Sequence, residues 1–153
     1  MDTALRHALI TTALAALLAA NPLLALAGSP TGLWKTIDDD GKTEKSLVRI
    51  VEQGGVLSGK VEKIFDPAKA DKRCELCSDA RKDQPVLGLT ILRNVRQSGS
   101  DAAVWDGGDI LDPNNGKVYK VRLKPSDDGR QLEVRGYIGV PLLGRSQTWQ
   151  RVE

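Results

Sequence analysis

Apolar and polar residues alternate along most of this chain with a period of two, the spacing of a strand with one dry face. Tyr119, Val121 and Leu123 share one parity, while Val118, Lys120, Arg122 and Lys124 take the other. Leu57, Gly59, Val61 and Phe65 alternate with Ser58, Lys60 and Glu62, and Leu132, Val134, Gly136 and Ile138 form a third set. Less regular strand patterns occupy residues 31–37, 46–51, 86–95, 102–111 and 145–152; Leu87, Leu89 and Ile91 share a parity in the third of them. Turn signals separate these runs at Asp38-Asp39-Asp40-Gly41, Gln53-Gly54-Gly55, Gln97-Ser98-Gly99-Ser100, Asp112-Pro113-Asn114-Asn115-Gly116 and residues 125–129. Gly107-Gly108 predicts a bulge or bend, and residues 139–144, with Pro141 inside, read as a stiff apolar loop. No helix-length amphipathic segment lies between the strands to support parallel crossovers, so the sheet is predicted to be antiparallel. About eight consecutive hairpin strands predict an all-β, up-and-down barrel closed by the first and last strands, because closure removes exposed edges. Such a barrel is either filled by side chains or holds one small ligand.

Residues 66–84 break the alternation as one polar insertion. Asp66 followed by Pro67 suits an N-cap and first helical position, which predicts a short helix over 68–73. Cys74-Glu75-Leu76-Cys77 follows, with four readings. Haem attachment fails because Ser78 stands where histidine is required. Zinc would find only two ligands. A thiol–disulfide active site has the right spacing but no βαβ context. A local disulfide between Cys74 and Cys77, pinning a long loop in an oxidising compartment, is the expectation adopted; redox work and shared metal ligation are its alternatives.

The chain of 153 residues suggests one domain preceded by a leader. Residues 1–27 carry Arg6 and His7, an apolar run over 8–20, Pro22, and Ala25-Leu26-Ala27 as a small-x-small cleavage pattern. The expectation is a cleaved signal peptide over 1–27 and a barrel domain over 28–153, periplasmic or secreted, with no stable membrane anchor after cleavage. An uncleaved anchor is the alternative, because 8–27 is just long enough to span a bilayer. His7 is the only histidine and departs with the leader. That removes imidazole from triads, acid–base catalysis and metal ligation, and most hydrolase and metalloenzyme mechanisms with it. No catalytic residue, cofactor or metal site is assigned. The acidic turn at 38–41 reads as a solvated hairpin. Asp112 to Gly116 fails as a calcium loop, because its glycine comes one position early and no twelfth-position glutamate follows. A net charge of +2 and an aromatic content of 4% argue against a nucleic-acid partner, which needs concentrated basic residues and stacking surfaces. The Lys120, Arg122 and Lys124 stripe reads as a soluble outer face.

Several stretches carry a family likeness: Gly32-Leu33-Trp34-Lys35-Thr36, the Cys74 and Cys77 pair, Gly88-Leu89-Thr90-Ile91-Leu92, residues 107–113, Gly116-Lys117-Val118-Tyr119, Arg135-Gly136-Tyr137-Ile138-Gly139, and residues 144–151. Over essentially the whole mature chain they resemble small bacterial secreted proteins catalogued as domain of unknown function 2147. The resemblance implies an antiparallel, eight-stranded lipocalin-like barrel with one Cys-containing insertion, exported to the periplasm or beyond. It implies no activity. A looser likeness is to lipocalins and fatty-acid-binding proteins, whose first strand carries Gly-x-Trp and whose last strand carries an arginine packed across that tryptophan. Gly32-Leu33-Trp34 matches the first part, and Arg145 or Arg151 supplies the second. The helical lid of fatty-acid-binding proteins is missing after the first strand.

Function is therefore expected to be a binding module for a small apolar or amphipathic ligand. Trp34, Trp105, Tyr137 and Trp149 are its candidate contacts, and Arg145, Gln147 or Arg151 would meet a carboxylate. For each tryptophan the competing role is packing of the barrel floor. The alternative function is a filled barrel with a structural or protein-interaction role in the cell envelope, meeting an envelope protein through the 139–144 loop or the Cys loop. A thiol–disulfide protein is a third reading, and an enzyme is not expected.

Overall fold

The computed structural model describes residues 28–153; the predicted leader, 1–27, lies outside the described residues. Eight strands follow in order: β1 (Gly32–Ile37), β2 (Glu44–Gln53), β3 (Val56–Ile64), β4 (Thr90–Gln97), β5 (Trp105–Asp112), β6 (Lys117–Pro125), β7 (Gln131–Tyr137) and β8 (Arg145–Arg151). Each pairs antiparallel with the next, and β8 returns to β1 through Trp34 opposite Arg151 and Lys35 opposite Gln150. The barrel is closed and up-and-down, as the hairpin order predicts.

Bulges decide where the sequence pattern fails. The β2–β3 register slips between Leu47, opposite Lys63, and Val48, opposite Val61. One extra residue reverses the parity beyond it. Ile64 consequently packs on the core, while Phe65 leaves it and lies under the Lys63 ammonium, 5.3 Å from the ring centroid. In β5 the predicted bulge is present: the register on β6 shifts between Trp105 and Gly108. A Cβ at Gly108 would stand 2.1 Å from the Arg93 carbonyl oxygen, so only glycine admits this approach. The 86–95 strand is shorter than its pattern suggests. It begins at Thr90, and Leu87, predicted inward, is exposed in the preceding turn while Val86 and Leu89 are buried.

One end of the barrel is solid. Trp34, Val48, Ile50, Leu57, Leu92, Val95, Val121, Leu123 and Leu132 are each no more than 1% exposed, and a fully buried aliphatic side chain contributes roughly 1.5–3 kcal/mol. Here the first and last strands meet as expected. The Trp34 indole N–H donates to the Pro30 carbonyl at 2.7 Å, and the Arg151 guanidinium lies 4.2 Å from the indole centroid. Arg151 also donates to the carbonyls of Gly129, Thr31 and Ser29 at 2.5, 2.7 and 2.7 Å.

The insertion between β3 and β4 contains only a 3-10 turn, Pro67–Lys69, where a helix over 68–73 was expected. The capping chemistry is as predicted, with the Asp66 carboxylate accepting from the Ala68 N–H at 3.0 Å. The helix ends because the next residues are paired elsewhere: Val86 N–H donates to the Lys72 carbonyl, Arg73 bridges Pro85, and Cys74 N–H donates to the Gln84 carbonyl. The Cys74–Cys77 disulfide is formed, and both residues are buried in the core cluster. Its loop rests on the β5–β6 turn, where a Cβ at Gly116 would lie 2.0 Å from the Leu76 carbonyl oxygen. Arg81, itself buried, ties the insertion to the wall by donating to Asp79 (2.7 Å) and to the Thr90 carbonyl (3.1 Å).

Candidate functional site

The β1–β2, β3–β4, β5–β6 and β7–β8 connections share the other end of the barrel, and there the interior is hollow. A cavity of about 380 Å³ opens between them. Its deeper wall is Val61, Ile91, Ile110, Leu111, Val134 and Trp149. It is hollow because the lining positions of the strands become small or polar toward this end. Trp34 gives way to Thr36 on β1, Ile50 and Val48 to Ser46 on β2, and Leu132 and Val134 to Gly136 on β7. The Thr36 and Ser46 hydroxyls satisfy each other at 2.8 Å.

A polar chain runs from the floor to the rim. The Trp149 indole N–H donates to Gln147 Oε1 at 3.3 Å, and Gln147 Nε2 donates to Asp39 Oδ1 at 2.9 Å. The Arg145 guanidinium donates to the other oxygen of Asp39. Asp39 belongs to the β1–β2 turn, so this carboxylate bridges the mouth from the first hairpin to the last strand. The acidic turn is therefore more than the solvated hairpin expected of it. Its shape is fixed by Asp40, whose carboxylate accepts from the Thr43 hydroxyl and the Thr43 and Lys42 N–H groups, which lower its pKa to about 2. The other cations at the mouth are also engaged: Lys45 with Asp38 at 3.0 Å, Lys69 with Asp66 at 3.4 Å, and Lys72 with Asn114 Oδ1 at 2.6 Å.

Three of the seven predicted ligand contacts line this cavity: Arg145, Gln147 and Trp149. Trp34 and Arg151 sit at the solid end, occupied with each other and with backbone carbonyls. Trp105 packs on the core opposite Leu123, also away from the mouth. Tyr137 does not line the cavity either, because it follows the lining residue Gly136 and takes the outer parity of β7. Sequence reasoning missed Asp39 and Tyr119. Tyr119 shares the inward parity of Val121 and Leu123 and could have been found; Asp39 left no local signal. Cys74 and Cys77 are 0% and 3% exposed, so the disulfide offers no sulfur to an incoming thiolate. Among the described residues no group of three or more His, Cys, Asp or Glu is gathered as a metal site.

A closed, meandering, eight-stranded barrel with one packed end and one hollow end is a lipocalin-like barrel. Among solved structures it is similar to protein HP1028 from the human pathogen Helicobacter pylori, described as belonging to the lipocalin family. The TM-score is 0.69 at 23% identity, covering 82% of this chain and 84% of that one. At that identity the likeness speaks for the fold. The chain itself belongs to the bacterial family described as "Uncharacterized protein conserved in bacteria (DUF2147)", which matches residues 32–151. No curated protein matches it in sequence.

Proposed function

We propose that this protein is an exported binding module for a small amphipathic molecule, seated in the mouth cavity with its apolar part against Trp149, Val134 and Ile91. The carrying observation is the contrast within one barrel: close packing at one end and a cavity of about 380 Å³ at the other. That volume is near the small end of the range for small-molecule sites, and an apolar wall with a few convergent polar groups is their usual chemistry. Gln147, Arg145 and Asp39 supply the polar end. A neutral donor-and-acceptor head group fits them as they stand, whereas a carboxylate would have to replace Asp39 on Arg145. Export is supported by the leader pattern and by the disulfide, which persists in oxidising compartments.

The test is mass spectrometry of small molecules released from protein purified out of its own compartment, followed by displacement of a fluorescent amphiphile by whatever is found. A released amphiphile that competes stoichiometrically with the probe supports the reading. An empty protein that takes up no probe would sink it.

A further inference from the structure

The three most exposed large apolar side chains, with a fourth beside them, gather in one connection. Ile138, Val140, Leu142 and Leu143, all between β7 and β8, are 67, 54, 85 and 77% exposed. This tip has a defined shape. Pro141–Leu143 forms a 3-10 turn, and Arg135 donates from Nε to the Pro141 carbonyl at 2.6 Å. The same guanidinium donates to the Leu142 carbonyl at 3.2 Å and to Ser146 Oγ at 2.9 Å. Gly144 closes the turn where any Cβ would lie 2.6 Å from the Gly136 carbonyl oxygen. Contiguous exposed apolar side chains of this kind mark an interaction site.

The outer wall beside the tip is basic. Lys120, Arg122 and Lys124 take the outward parity of β6, and Arg122 stands opposite Arg135 of β7 in the ladder. Like charges directly opposed are unfavourable in a sheet. Among the described residues no carboxylate forms an ion pair with Lys117, Lys120, Arg122, Lys124 or Arg135, although Asp112, Asp109 and Glu133 face Lys117, Lys120 and Lys124 in the ladder. Arg122 Nε is shielded and has no hydrogen-bond partner. Lys60, Lys63 and Arg96 on other strands are likewise outside any ion pair among the described residues; what sets this face apart is the Arg122–Arg135 pair standing beside the apolar tip.

We propose that this face docks the protein reversibly on an anionic lipid surface, with Leu142 and Leu143 inserted among the head groups and the cations of the mouth half of β6–β7, Lys120, Arg122 and Arg135, over the phosphates. A projecting apolar knob beside the like-charged Arg122 and Arg135 complements a medium that offers hydrocarbon and mobile negative charge together. The geometry adds a consequence. Gly136 and Arg145, which flank the tip in sequence, both line the cavity, so docking brings the mouth to the membrane surface. The proposal does not require the cavity to be loaded.

The experiment is co-sedimentation of protein purified from its own compartment with phosphatidylglycerol–phosphatidylcholine vesicles and with pure phosphatidylcholine vesicles, at low and high salt. Binding is expected to be at least about tenfold stronger to the anionic vesicles and to weaken with salt. Leu142→Asp with Leu143→Asp should lower it about tenfold or more. Lys120→Gln and Arg122→Gln should each lower it about fivefold at low salt. Near-UV circular dichroism of the tryptophans verifies that each variant is folded. Equal binding to both vesicle types, or full binding by the folded double-aspartate variant, overturns the proposal. So does a concentration-dependent dimer, or a stoichiometric protein complex, that the double-aspartate variant abolishes, because another protein surface then covers the tip.

Discussion

Replacing Arg151 with leucine separates closure of the barrel from ligand binding. The wild-type guanidinium makes three hydrogen bonds to carbonyls and covers the Trp34 ring at 4.2 Å. Hydrogen bonds to a charged group contribute about 1.5–3 kcal/mol each, and a partly desolvated cation–π contact about 1–2 kcal/mol. Their plain sum overstates the loss, because the three carbonyls regain water and leucine still covers part of the indole. Burial also lowers the Arg151 pKa, which means that desolvation offsets some of the gain in the native protein. A loss of roughly 3–5 kcal/mol follows, a large share of the roughly 5–15 kcal/mol stability of a domain. For a barrel of this size that is a fall in Tm of about 10–20 °C. Arg151→Lys should recover less than half of it, because one ammonium cannot reach three carbonyls while lying flat on an indole. Urea and thermal unfolding give the stability, and displacement of a fluorescent amphiphile gives the affinity of the folded variant. A Tm within about 3 °C of wild type would refute the closure argument. Normal stability with a tenfold loss of probe affinity would instead make Arg151 a ligand contact.

Four other perturbations bear on the cavity and the insertion. Asp39→Ala frees Arg145 and Gln147, so a fluorescent fatty acid should bind about five- to tenfold tighter while its neutral alcohol analogue changes less than twofold; equal changes would refute the bridge. Gly116→Ala places a Cβ 2.0 Å from the Leu76 carbonyl at a φ of +71° and should cost roughly 2–4 kcal/mol, seen first as faster hydrogen exchange in residues 66–89. The Arg81 side chain and N–H hold Asp79 at about 2, down from 3.8. A depressed folded pKa gives stability that is complete above the unfolded value and lost as pH falls through the folded one. Exchange protection of the insertion should therefore fall between about pH 4 and 2, and Asp79→Asn should flatten that dependence; parallel profiles would contradict it. Gly136→Val should stabilise the barrel by up to about 1 kcal/mol and abolish probe binding, measured by unfolding and by titration of the same sample.

The strands were legible because a half-buried sheet imposes a period of two on its residues, and the failures have local causes. Phe65 was placed inward and Ile64 was not, since one bulged residue opposite Leu47 and Val48 reverses the parity without altering the apolar content. Asp66-Pro67 reported a true cap, but the pairing of 72–74 with 84–86 overrode the helix it would begin. On the last strand, Arg145, Gln147 and Trp149 are candidates by their side-chain chemistry, and the structure shows that they share the inward parity. Arg151 shares it too, and only the depth at which a residue crosses the barrel separates wall from floor. Asp39 was invisible for a different reason. Its partners lie 106 and 108 residues away, and an aspartate in an acidic turn has the same sequence whether it meets water or a guanidinium.

The choice between a filled barrel and a ligand-holding one is made position by position along the axis. A barrel of fixed strand number has a nearly constant bore, so the volume of the inward side chains decides what remains empty. At the closed end those positions hold Trp34, Leu57, Leu123 and Leu132; at the mouth they hold Thr36, Ser46 and Gly136. A hollow left by poor packing would collapse or cost stability with nothing gained. This one is bordered by side chains that satisfy one another: Thr36 with Ser46, Trp149 with Gln147, and Gln147 with Asp39. Gly136 distinguishes the two cases. A Cβ there meets nothing closer than Tyr119 Cβ at 3.5 Å, an ordinary contact, so the site has room for a side chain that the chain does not supply. A glycine without a positive φ inside a barrel strand loses strand propensity and packing, and a binding cavity would account for that loss where a folding requirement does not. If Gly136→Val gains stability and loses the probe, the space at the mouth serves binding. If it gains stability and binds as before, the ligand lies elsewhere and the mouth is only a packing defect.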